Sequence, residues 1–257
     1  MNSELEGRIA IVTGSGGGIG FGIAERLGRA GAKVVVAEIN LTTGKKAVQK
    51  LNGAGLKASL VETDVCSPES VNSLVDNVMA DYGRIDILIN NAGVAKMGPT
   101  ETFPLDDWYT QSDIMYNGAF LCIRAIGQVM LEQRKGVILN VCSIGGMGAW
   151  PLRASYNSTK AAVISLTENI GAEWARRGVR VVGVAPGVTW TAMLKNAVDQ
   201  GFASLEEYNR RTPMGRVGEV DEIASVVQFL VSDRASYITA TVVTVDGGWV
   251  AWGNLPF

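Results

Sequence analysis

Residues 8–20 read RIAIVTGSGGGIG. A continuously apolar, branched run passes without a linker into a glycine cluster, and the pattern then becomes helical from Ile19. A strand with no polar alternation is one buried on both faces. Glycines at its end let the chain turn tightly into a helix and bring backbone N–H groups against an anion at the positive helix terminus. The same kind of strand recurs along the chain as KVVVAE, ASLVET, IDILIN, GVILNV, VRVVGV and TVVTVD. Helix-length amphipathic segments separate these runs, at about 19–30, 42–51, 68–82, 105–133, 155–177 and 220–230. Seven such strands predict an α/β protein with a doubly wound, seven-stranded parallel sheet and helices on both faces. The only long stretch without a strand runs from Pro186 to about Gly218, where a substrate-binding loop or lid at about 187–218 is expected.

The chain has 257 residues, enough for a single domain over 1–257, and a formal charge of -2. No basic run favours nucleic acid or an anionic membrane surface, so a small-molecule partner is expected. The start, MNSELEGRIAIVTG, has neither a basic region nor a long apolar one, and no stretch of 18 uninterrupted apolar residues occurs. A soluble, cytoplasmic protein is therefore expected. Cys66, Cys122 and Cys142 are odd in number and lack close pairing, so reduced, buried thiols are expected. Histidine is absent altogether. That removes the commonest general base and the commonest metal ligand, and no metal site is expected. A base must come from tyrosine, lysine, cysteine or a carboxylate.

The segment TGSGGGIG from Thr13 to Gly20 does not fit the literal G-x-G-x-x-G fingerprint in any register. Glu38 adds the missing signal. It ends the second strand 18 residues past Gly20, where a carboxylate can accept both hydroxyls of an adenosine ribose and repel a 2′-phosphate. Gly17 stands where a phosphate-binding arginine would favour NADP, so NAD is the expected cofactor. A P-loop is excluded, because the only Gly-Lys pair, Gly44-Lys45, has Ile39 in place of the leading glycine.

Tyr156 and Lys160 are four apart on a predicted helix and share a face, with Ser143 just past a buried strand. A neighbouring ammonium favours a phenolate, and an oxidised nicotinamide ring would add a second positive charge. Tyrosine can then be the base that histidine cannot.

Together these pieces resemble the classical short-chain dehydrogenases/reductases over essentially the whole chain. The matching stretches are Thr13–Gly20, Asp64-Val65, NNAG at 90–93, Ser143, YNSTK at 156–160, Pro186-Gly187 with Thr191, and DGG at 246–248. The resemblance implies a one-domain Rossmann fold, usually a homotetramer, that oxidises alcohols or reduces carbonyls with a nicotinamide cofactor. It implies that Gly14, Ser15, Gly18, Ile19 and Gly20 cradle the cofactor and that Asp64 and Val65 hold the adenine. Asn91, Ala92 and Gly93 would line the cofactor, and Pro186, Gly187, Thr189 and Thr191 would shape the nicotinamide end. Tyr156 would be the acid/base, Lys160 would hold the ribose and tune Tyr156, and Ser143 would bond the substrate oxygen.

One position departs from the family pattern. Members carry an asparagine in W-x6-N-x-x-G-x-F, and counting from Trp108 or back from Phe120 gives Met115. Asn117 falls two places later, about 200° round the helix, and should face away. The proton relay through a bound water is put in doubt, since a thioether is a weak acceptor.

Ala95, Met97, Gly145, Met147, Trp150, Trp190 and Met193, with Met115, are the expected substrate contacts. They favour an apolar or aromatic secondary alcohol or its ketone. Arg153, three before Tyr156, could anchor an anionic group or instead make a surface ion pair. Other readings are a polyol, sugar or anionic hydroxy-compound dehydrogenase, or an NAD(H)-binding sensor that has lost turnover. A methyltransferase would not need Tyr156 with Lys160, and an extended epimerase needs a larger substrate domain.

Overall fold

The first strand, β1 (Ile9–Thr13), is buried at every residue and pairs in parallel with both β2 (Lys33–Glu38) and β4 (Ile87–Asn90). A computed structural model describes residues 4–199, 201 and 203–252. Among these, β3 (Lys57–Glu62), β5 (Gly136–Val141), β6 (Val179–Pro186) and β9 (Thr241–Val245) complete a seven-stranded sheet in the order β3-β2-β1-β4-β5-β6-β9, every pairing parallel. The strand order reverses between β1 and β4. That switch point opens a crevice at the carboxyl ends of the strands, where ligands bind in such sheets.

Two apolar layers sandwich the sheet. One joins α1 (Gly18–Arg29), α2 (Leu41–Gly53) and α9 (Val220–Val231) to Val12, Val34 and Val182. The other joins α3 (Pro68–Tyr82), α5 (Gly118–Gln133) and α6 (Ala154–Trp174) to Ile11, Val35, Leu88 and Ile138. Successive residues of one strand feed opposite layers, so the central strands β1, β4 and β5 have no exposed residue, whereas the edge strand β3 is exposed at Lys57 and Glu62.

The structure corrects four sequence expectations. The helix expected over 105–133 is α4 (Leu105–Ser112), a π-helical turn over Asp113–Asn117, and then α5. The π turn inserts extra residues into the helix without breaking it, so the periodicity carries no mark of it. The last turn of the 155–177 helix is 3-10 in form, over Ala175–Arg177. The 187–218 connection is not strandless: β7 (Thr189–Trp190) pairs with β8 (Gly218–Glu219), and α7 (Ala192–Asp199) and α8 (Leu205–Arg211) lie between them. Cys66 is exposed rather than buried, while Cys122 and Cys142 are buried as expected.

The α4–α5 span is long and apolar enough, by length and composition, to cross a bilayer. Cys122, Ile123, Ile126 and Met130 pack into the core beneath the sheet, the placement of a core helix.

Candidate active site

At the β1–α1 turn the glycines are there for want of space as much as for flexibility. Gly14 has φ +61, and a Cβ on it would come 2.8 Å from Ala92 Cα. A Cβ on Gly16 would meet Thr43 Oγ1 at 2.7 Å and Glu38 Oε2 at 2.8 Å. Gly17, the N-cap of α1, has open space beside it. The helix thus begins with bare N–H groups facing the crevice, the environment a pyrophosphate requires. Ser15 is fully buried and donates to Val12 O at 2.7 Å, so it builds the turn rather than lining the cleft.

The carboxylate of Glu38 is held at both oxygens. Gly16 N donates to Oε2 at 2.9 Å and Asn40 N to Oε1 at 3.1 Å. Asp64 accepts from Cys66 N through Oδ1 at 2.9 Å. The 90–93 loop is stitched to β1, with Asn91 N and Ala92 N donating to Thr13 Oγ1 at 3.0 and 3.1 Å. The Asn91 side chain donates to the carbonyls of Thr13 and Gly14, so its amide hydrogens fix the turn. A polar chain inside the sheet went unread in the sequence: Asn90 donates to Asn140, which donates to Thr167. The only signal for it is an asparagine closing the apolar run ILIN and another inside VILNV.

A cleft of about 830 Å³ runs from Glu38 and Asp64 past these glycines to Ser143, Tyr156 and Lys160. It takes in Val65, Gly93, Ala95, Met115, Pro186, Gly187, Thr189, Thr191 and Met193. Its size suits a dinucleotide with part of a substrate. Ile19, Gly18 and Gly20 line it, as do Cys142, Asp113 and Ile114, which sequence reading did not single out. Lys160 is the only basic residue among its described walls, against Glu38, Asp64 and Asp113. Met97 is exposed, and Trp190 lines a separate concavity beside Arg26 and Lys195. Met147 and Trp150 line another, with Tyr208 and Trp249.

At the chemical end, Lys160 is buried and donates from Nζ to Val141 O at 2.7 Å, with its ammonium 5.9 Å from the centre of the Tyr156 ring. An ammonium has three donors, so two remain for ligand hydroxyls. Ser143 Oγ accepts from Gly145 N at 3.0 Å, which leaves its own O–H free to donate. A Cβ on Gly145 would fall 2.7 Å from Asn157 Oδ1 and 3.4 Å from the Tyr156 ring, so this position admits no side chain. Burial pushes the Cys142 thiol up to about 11 despite Lys160 nearby, and desolvation together with Asp64 pushes Cys66 to about 11. Neither supplies a thiolate near neutrality, and Tyr156 lines the cleft together with Ser143 and Lys160.

Met115 is buried against Gly93 and lines the cleft with Lys160. Asn117 is exposed and donates to Asp113 Oδ1 at 2.8 Å. Behind Met115 a cavity of about 10 Å³, roughly the space of one water, is bounded by Lys160 and by Asn90, whose Oδ1 is buried without a partner among the described residues. No cluster of three potential metal ligands occurs among the described residues.

Comparison with known proteins agrees with this geometry. The family model described as Enoyl-(Acyl carrier protein) reductase matches residues 14–250. A 3-oxoacyl-[acyl-carrier-protein] reductase from Synechocystis sp. is 36% identical over 96% of this chain and 99% of its own. The chain belongs to the classical short-chain dehydrogenases/reductases. Two solved structures of these reductases bracket the cofactor question. NAD+-bound xylitol dehydrogenase superposes with a TM-score of 0.90 at 31% identity, covering 95% of this chain and 99% of that one. A gluconate 5-dehydrogenase from Burkholderia cenocepacia in complex with NADP and tartrate gives 0.92 at 34% identity, covering 98% of each. The protein is thus an oxidoreductase of a family that binds a nicotinamide cofactor.

Proposed function

We propose that the protein is an NAD-dependent dehydrogenase/reductase that interconverts a secondary alcohol of apolar or aromatic body and its ketone. The observation that carries this reading is the convergence of Tyr156, Lys160 and Ser143 on the end of a cleft whose other end is a glycine turn beside Glu38. The residues fit the cofactor. Bare glycines face the place of the pyrophosphate, and Glu38 is pinned by two backbone N–H groups where the adenosine ribose would lie. Lys160, at the catalytic end, is the only lysine or arginine among the described cleft walls, so none stands beside Glu38 there to neutralise a 2′-phosphate, which supports NAD over NADP.

In the oxidative direction the Tyr156 oxygen takes the alcohol proton while the Ser143 hydroxyl donates to the same substrate oxygen. Bound cofactor supplies the hydride acceptor. Lys160 lies beside the Tyr156 ring, its Nζ fixed by the Val141 carbonyl, and would present its remaining donors to the cofactor ribose. In reduction the same tyrosine returns the proton, and the Ser143 hydrogen bond strengthens as negative charge develops on the carbonyl oxygen.

The test is NADH oxidation against a panel of aryl, cyclic, polyol and acidic ketones. Turnover of at least one class, faster with NADH than with NADPH, supports the reading. Tight NADH binding without turnover of any class would favour a sensor, consistent with Met115 at the relay position.

A further inference from the structure

The second concavity, of about 630 Å³, borders the catalytic cleft across one short loop. Ser143 lines the cleft, and the next residue, Ile144, lines the concavity together with Met147 and Trp150. Its opposite wall is α8, through Tyr208, Arg210 and Arg211, closed by Trp249. Three rings form one aromatic face. The Trp150 and Trp249 centroids are 5.1 Å apart, and Tyr208 lies 6.4 Å from each.

Cations are stacked on this face and left unpaired. The Arg211 guanidinium lies 4.8 Å from the Trp249 ring and 5.5 Å from Trp252, and Arg153 sits 4.1 Å over Trp150. Arg211 Nη2 donates to Trp252 O at 3.1 Å, but Nη1 is buried with no acceptor among the described residues. Besides its stack on Trp150, the Arg153 side chain makes one long hydrogen bond among the described residues, to Tyr208 OH at 3.5 Å. None of Arg153, Arg210 and Arg211 forms an ion pair among the described residues, whereas Arg8, Arg26, Arg29, Arg84 and Arg216 each do. Glu207 is the single carboxylate among the described residues that line the concavity. A guanidinium held flat on an indole keeps its planar fork ready for a two-oxygen anion, and a buried donor without an acceptor is costly until one arrives. The surface ion pair considered for Arg153 from sequence is not formed among the described residues.

We propose that this concavity holds the carboxylate of the substrate. The cyclic or aromatic body would lie on the Trp150–Tyr208–Trp249 face, and the reacting carbon would be presented to Ser143 and Tyr156. Arg153 is the N-cap residue of α6, which carries Tyr156 in its first turn, and the consecutive residues Ser143 and Ile144 line the cleft and the concavity respectively, so the two sites adjoin at this corner and one small molecule can span both. The inference rests on the reading of the cleft as a ketone reductase site. It narrows the substrate class to hydroxy and keto acids with a flat or cyclic body.

The test compares 4-oxocyclohexanecarboxylate with its methyl ester, using NADH and the full-length protein. We expect kcat/KM to favour the acid by about tenfold or more, mainly through KM, from one charge-assisted contact. Arg211→Met and, separately, Arg153→Met should bring the acid-to-ester ratio toward one. Arg153 is less enclosed, so its variant decides the matter if Arg211→Met fails to fold. Benzoate should inhibit ester reduction competitively. Noncompetitive inhibition would mark a separate effector site and overturn the assignment, as would equal kcat/KM for acid and ester. Calorimetric titration of the acid reads the concavity without turnover. Acid binding that the arginine variants weaken, with no ketone reduced, would keep the carboxylate site and sink the reductase reading. Ketone turnover with no preference for the acid would do the reverse.

Discussion

At Glu38 both carboxylate oxygens are already engaged by backbone N–H groups, so the side chain cannot swing aside for a 2′-phosphate without breaking them. NAD should be preferred to NADP by about tenfold or more in kcat/KM, the scale of one unscreened like-charge contact. Glu38→Ala should narrow that ratio, measured by steady-state kinetics with both cofactors. On the helix that carries Met115, Asn117→Ala should leave kcat almost unchanged, because the amide is spent on Asp113 at the surface. Met115→Asn should instead change the pH dependence of kcat, since it places a donor and an acceptor beside Lys160 and the small cavity behind it. A hundredfold loss at Asn117 with a silent Met115→Asn would contradict this placement. Tyr156 with Lys160 was legible because four residues of helix fix a shared face. The stack of Arg153 on Trp150 was not, because it depends on how the 144–152 loop folds back, which no spacing encodes.

Among the elements, the seven strands were legible because the branched apolar runs of the interior strands outweigh the few polar residues within them, such as Asn90 and Asn140. The π turn over 113–117 was not, since an inserted residue keeps the helix amphipathic. The short α7 and α8 were also missed; each is two turns or so, too brief for a periodic signal and held by its neighbours instead. The start of α9 offers a test at this scale. Glu222 accepts from Glu219 N at 2.8 Å and pairs with Arg216 at 2.6 Å. The Arg216 hydrogen bonds, with the backbone bond second, hold its carboxyl down to about 2 from an ordinary 4.5. A lowered native value means stability that is full above about 4.5 and is lost as pH falls toward about 2. Glu222→Gln should therefore lower the melting temperature near neutrality, through a loss of up to about 1 kcal/mol for an exposed cap and ion pair. The gap to wild type should shrink as pH drops below 4.5, and a gap that stays constant with pH would assign it to packing.

At the scale of the whole molecule, the α4–α5 span presents Tyr109, Tyr116 and Phe120 to solvent at helical spacing, while its other side packs on the core. An association between copies of this chain would bury such an exposed aromatic row rather than leave it in water. The double variant Tyr116→Glu, Phe120→Glu should then shift the mass measured by light scattering to a smaller species without unfolding it. Strand order was legible only as far as helices between strands impose parallel crossovers, whereas the crevice at β1 and β4 needs the sheet itself. That crevice gathers residues as distant as Gly14 and Met193 into one cleft, and everything proposed for it depends on one oxygen moving one proton. The most direct measurement is reduction of 4-oxocyclohexanecarboxylate methyl ester by NADH with Tyr156→Phe, beside NADH titration of the same variant by fluorescence. Loss of nearly all turnover, with NADH affinity within a few-fold of wild type, is the expected result. A variant that keeps about a tenth or more of the wild-type rate would place the acid/base elsewhere and contradict the assignment of Tyr156.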